Sequence, residues 1–71
     1  MSYKIEIKSM NSVVIDSIIE YLENKNKSSF GDMVKNINAP YHEILKHVLF
    51  LKRYGVINKI KNPEGYYQIS K

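Results

Sequence analysis

The sequence predicts a small α+β fold, in which one β-strand precedes three helices and a β-hairpin follows them. Three observations carry that expectation. A chain of 71 residues has room for a single hydrophobic core, so residues 1–71 are expected to form one domain. Apolar residues recur at helical spacing in three successive stretches between Val13 and Tyr54. On either side lie a period-2 alternation and two runs rich in β-branched and aromatic residues, the signatures of strands.

Tyr3, Ile5 and Ile7 alternate with Lys4, Glu6 and Lys8, the pattern of a half-buried N-terminal strand. Ser12 can cap a first helix over Val13 to Asn24, where Val14, Ile15, Ile18, Ile19 and Leu22 lie opposite Asp16, Glu20 and Glu23. Asn24-Lys25-Asn26-Lys27-Ser28 has no apolar period and reads as a solvated connection. A second helix of about two turns is expected from Phe30, Met33, Val34 and Ile37, with Ser29 as its cap and Asp32 in its first turn. Asn38-Ala39-Pro40 closes that helix and opens the next, because proline is tolerated in a first turn. The third helix is expected from Pro40 to Tyr54, with Ile44, Val48 and Leu51 as its core stripe, Lys52 and Arg53 in its last turn and Gly55 as its stop. Val56 to Lys61 and Tyr66 to Ser70 then flank the turn sequence Asn62-Pro63-Glu64-Gly65, forming the hairpin.

Composition narrows the class of function. With 44% hydrophobic and 25% charged residues the chain is neither a disordered tail nor a low-complexity linker. It has no cysteine, hence no disulfide framework and no thiolate zinc site, which suits a reducing, intracellular setting. No apolar run reaches the roughly 18 residues of a spanning helix, and the alternating N-terminus is unlike a signal peptide, so a cytoplasmic protein is expected. The formal charge of +4 is unevenly spread: −2 up to Asn24, and +6 from Lys25 onward. A polyanion-binding face on the later segment fits that asymmetry. Ten lysines against one arginine, with ten isoleucines and seven asparagines, also reflect the codon bias of an AT-rich genome.

Two helices joined by a tight turn, with one helix ahead and a hairpin behind, resemble the winged helix-turn-helix domain. Leu51, followed four residues later by Gly55 and then Val56-Ile57, is similar to the leucine-x-x-x-glycine-leucine-hydrophobic ending of that family's recognition helix. Tyr66-Tyr67-Gln68-Ile69-Ser70 is similar to its aromatic-aromatic-polar-aliphatic-hydroxyl wing strand. The resemblance runs from Ser12 to Ser70, and within the superfamily it is strongest to small archaeal, archaeal viral or plasmid winged-helix regulators and chromatin proteins. It implies double-stranded DNA as the partner and a role as a transcriptional regulator or nucleoid-associated factor, with no cofactor. In that family the helix after the tight turn enters the major groove and the wing follows the backbone. A homodimer is also expected; because the chain stops at Lys71 without the long C-terminal helix some relatives use, the N-terminal strand or the first helix would form its interface.

With Ile44, Val48 and Leu51 inward, His42, Leu45, Lys46 and Leu49 fall on the outer face of the third helix. The positions implied to meet DNA are Ser29, Asn38, Tyr41, His42, Leu45, Lys46, Lys59 and Lys61. Asn38, Tyr41, His42 and Lys46 carry groups for bases or phosphates, and Lys59 and Lys61 lie two apart on one hairpin strand. Each has a plainer reading. Asn38 caps the third helix, Tyr41 packs its ring, Lys46 is a solvated helix lysine, and the wing lysines blunt an edge strand. Glu64 at the wing tip opposes phosphate. Leu45 and Leu49 also suit a protein-interaction face, the alternative function for this fold. Family members that bind left-handed duplexes carry an asparagine and a tyrosine where, aligned on Gly55, this chain has Leu45 and Leu49; it also has no tryptophan.

Catalysis is not expected. His42 and His47 are five apart and point about 140° away from each other on a helix, so they do not form a His-Glu-x-x-His metal site. Glu43 and His47 read as an exposed helix pair. Three glycines supply no phosphate-binding loop, and a domain this small has little volume for a substrate pocket.

Overall fold

The computed structural model describes residues 11–61 and 64–70. Three helices, α1 (Ser12–Lys25), α2 (Phe30–Asn36) and α3 (Tyr41–Arg53), pack with three antiparallel strands, β1 (Ser28–Ser29), β2 (Ile57–Ile60) and β3 (Tyr66–Ile69), in the sheet order β1-β3-β2. The N-terminal strand expected over Tyr3 to Lys8 lies outside the described residues, as do Asn62 and Pro63 of the hairpin turn.

α1 starts one residue earlier than expected. Asn11 is its cap: the side-chain oxygen accepts the Val13 N–H at 2.9 Å and the backbone carbonyl accepts that of Ile15 at 3.0 Å. Asparagine caps as well as serine does, and Ser12 thereby becomes the first helical residue. The helix ends at Asn26, whose φ of 69° turns the chain sharply.

Beyond Asn26 the structure departs from the expectation of a solvated connection. The segment delivers Ser28 and Ser29 to the open edge of β3, where they pair with Tyr67 and Tyr66. Ser28 is only 2% exposed, and its hydroxyl donates to the Ser29 carbonyl at 2.9 Å. Small size and a locally satisfied hydroxyl let serine stand where the sheet meets the helices. The element order is thus helix, short strand, helix, helix, hairpin.

Ser29 caps α2 as expected, accepting the Asp32 N–H at 3.1 Å. α3 begins at Tyr41 with Pro40 as its cap and no side-chain cap bond, so Asn38 does not cap it; the Pro40 carbonyl accepts from Glu43 and Ile44 instead. The helix ends in a Schellman arrangement: the Val56 N–H donates to the Leu51 carbonyl, and that of Gly55 to Lys52. Gly55 has φ 77°, the left-handed conformation that glycine adopts without strain.

The core joins Val14, Ile18 and Leu22 of α1 to Met33, Ile37, Ile44, Val48, Leu51 and Ile57. In the β2–β3 hairpin Ile57 lies opposite Ile69 and Lys59 opposite Tyr67. Tyr67 and Ile69 pack on the core, so strand alternation gives Lys59 the same side of the sheet as Ile57. β2 ends at Ile60, which leaves Lys61 in the turn and not on the strand.

Candidate nucleic-acid interface

α3 buries Ile44, His47, Val48 and Leu51. At about 100° per residue, the opposite direction belongs to His42, Lys46, Leu49 and Arg53, with Leu45 and Lys52 along one flank. Leu49 on this face is 52% exposed and Leu45 on its flank 37%, two adjoining apolar side chains.

His47 overturns the expectation of an exposed Glu43–His47 pair, because its side chain is fully buried. Nδ1 lies 2.6 Å from the Glu43 carbonyl, and Nε2 accepts the Asn11 backbone N–H at 2.8 Å. A backbone N–H can only donate, so Nε2 carries the lone pair and the proton sits on Nδ1. The ring thereby links the start of α1 to the middle of α3.

The Glu43 carboxylate is shared. One oxygen lies 3.5 Å from His42 Nε2 and 3.6 Å from Lys46 Nζ, and the other 3.7 Å from His47 Nδ1. His42 projects outward, its side chain 78% exposed. Tyr41, at the leading edge, sets its ring edge-on to Phe30 at 5.4 Å and 86° yet is 60% exposed, so packing fixes the ring while much of it faces solvent. Asn38 is exposed in the turn between α2 and α3. Ser29 is half-buried, its hydroxyl engaged at the start of α2. Lys59 and Lys61 are exposed on the hairpin, as is Glu64.

Arg53, expected from the sequence only as a cation in the last turn of the helix, is a further member of this surface. It stands four residues beyond Leu49 and seven beyond Lys46, which continues the outer stripe, and it is exposed. That spacing is a legible signal, obscured by the residue's equally good fit as a cation at a helix C-terminus.

Charge separates by element. Residues 41–61 carry Lys46, Lys52, Arg53, Lys59 and Lys61 against Glu43 alone, whereas α1 carries Asp16, Glu20 and Glu23 against Lys25. The three acids are exposed and lie opposite the buried Val14, Ile18 and Leu22 stripe, which packs toward α3. The acidic face of α1 and the outer stripe of α3 therefore point away from each other. Among the described residues, no group of three or more His, Cys, Asp or Glu could hold a metal ion, and no helix is long and apolar enough to cross a membrane.

Three helices and a three-stranded antiparallel sheet are compatible with the winged helix that the motifs resemble. No known protein family, curated protein or solved structure matches the chain.

Proposed function

We propose that this chain binds double-stranded DNA as a winged-helix transcriptional regulator or chromatin-associated factor, with α3 in the major groove and the β2–β3 wing along the backbone. The observation that carries the reading is the opposed charge: cations gather on α3 and the hairpin, acids on the far side of α1. A polyanion approaching the α3 side meets Lys46, Lys52 and Arg53 and is repelled from the opposite side, which orients the encounter. The protein acts without cofactor or catalysis in this reading, and as a homodimer. Sedimentation at tens of micromolar (about the range in which a modest interface still associates) is expected to give twice the monomer mass, and a monomer there removes the dimer.

Fluorescence anisotropy with a random-sequence duplex at two salt concentrations tests the binding. If about four phosphates are neutralised, a fourfold rise in salt lowers affinity on the order of a hundredfold. Lys46→Ala is expected to weaken binding and reduce the slope of log affinity against log salt by about 0.9. An unchanged slope removes Lys46 from the phosphate contacts, and no binding at low salt removes DNA as the partner.

The exposure of Leu45 and Leu49 favours a second reading, a protein-interaction module on the same fold. It requires that Leu45→Ala and Leu49→Ala abolish capture of a protein partner while leaving nucleic-acid affinity intact.

A further inference from the structure

Leu49 on α3's outer face and Leu45 on its flank form an exposed apolar strip beside His42, Lys46 and Arg53. From Tyr41 to Arg53 the helix contains no asparagine or glutamine, the side chains that read adenine in a bidentate way. Its one arginine stands in the last turn. Lys46 shares the Glu43 carboxylate with His42. Hydrogen-bond readers are therefore sparse where base edges would lie, and Leu45 and Leu49 occupy that place at 37% and 52% exposure.

We propose that Leu45 and Leu49 read the C5-methyl groups of thymine in the major groove, and so give the chain a preference for thymine-containing duplex. The inference rests on the DNA-binding reading above. The thymine methyl is the apolar feature that the major groove offers, and aliphatic contact is the way it is recognised. One helical turn separates the two leucines, a rise of about 6 Å. That is close to two base-pair steps of about 3.4 Å each, so the pair can reach methyls on neighbouring steps.

The surroundings select this occupant over a protein. A two-fold pairing of α3 with a second copy would bring Lys46 and Arg53 against their own counterparts or each other, a concentration of positive charge with Glu43 as the one acid of the helix. Duplex DNA has the complementary arrangement, with apolar methyls on the groove floor and phosphates along both rims. Lys46, Lys52 and Arg53 border the leucines as phosphates border the groove.

Uracil pairs as thymine does but lacks the methyl, which makes the test direct. Two random-sequence duplex pools of equal composition, one built with thymine and one with uracil, are titrated by anisotropy at the same low salt. Affinity for the uracil pool is expected to be lower by about fourfold for each methyl buried, with the salt slope unchanged. The double variant Leu45→Ala/Leu49→Ala should bind both pools equally, and circular dichroism checks that it retains its helices. Equal wild-type affinity for the two pools, with steep salt dependence intact, overturns the inference and leaves DNA binding standing. Discrimination that survives in a folded double variant also overturns it, since another group would then be the reader. Should that variant not fold, the wild-type comparison decides alone. No binding to either pool overturns the DNA-binding reading itself, and this inference with it.

Discussion

His47 is a polar ring fully buried on the inward face of α3, with both nitrogens engaged. Burying a ring of this kind is tolerable because neither nitrogen is left without a partner; among the described residues no buried side-chain nitrogen or oxygen lacks one. His47→Ala would open a cavity and orphan the Asn11 N–H, an expected loss of about 2–4 kcal/mol in urea unfolding. His47→Phe opens no cavity, forfeits the hydrogen bonds and adds a little bulk, so it should cost less. Equal costs would show that the bonds, not the packing, dominate. The position is legible in part: 47 lies on the same helix face as Ile44, Val48 and Leu51, yet its spacing from Glu43 equally suits a surface pair. Only the backbone N–H of Asn11, 36 residues away, decides between the two.

At the scale of elements, the end of α3 sets where the hairpin begins. The left-handed backbone of Gly55 turns the chain from helix to β2, and an added Cβ would meet nothing within 4 Å, so strain at this position is purely conformational. Gly55→Ala is expected to cost about 1–2 kcal/mol, read as a lower melting temperature by roughly 4–8 °C for each kcal/mol lost. An unchanged melting temperature would mean that the turn relaxes to another conformation. Elements with a strong local signal are visible in the sequence. The helical stripes of Val14, Ile18 and Leu22 and of Ile44, Val48 and Leu51, the Ser29 cap, the Gly55 stop and the hairpin all stand where expected. β1 is not visible, because two serines have no period and no apolar character; their strand conformation comes wholly from the edge of β3. Boundaries move where two residues can do one task, as with Asn11 and Ser12 at the start of α1. The candidate site is legible as a helix face, and its outward members follow from the buried ones. Asn38 resembles a cap without being one, because the Pro40 carbonyl, which takes the first helical bonds, belongs to the backbone and carries no side-chain signature.

For the whole molecule, charge is arranged as two opposed faces, and this makes a comparison between them informative. Lys52→Gln with Arg53→Gln removes two exposed cations from the end of α3 and should reduce the salt slope of duplex binding by about 1.8 if both neutralise phosphates. Asp16→Asn with Glu20→Gln shifts net charge by the same magnitude in the opposite sense, on the opposite face, and should leave that slope unaltered. Equal changes in slope from the two pairs would mean that DNA has no preferred side. The two-residue strand β1 has a consequence of another kind, in the order of events during folding. β2 and β3 are neighbours along the chain and can zip together early, whereas Ser28 must find Tyr67 after a loop of nearly forty residues has closed. That long-range pairing is expected to form after the rate-limiting barrier. A destabilising Ser28→Asp should therefore act chiefly on the unfolding limb of a chevron plot and leave refolding nearly as fast. Equal effects on the two limbs would place β1 in the folding nucleus. If the unfolding limb alone responds, the sheet edge beside α2 is the last part of the molecule to set and the first to loosen, a fast local opening at the end of β3 that adjoins the hairpin turn.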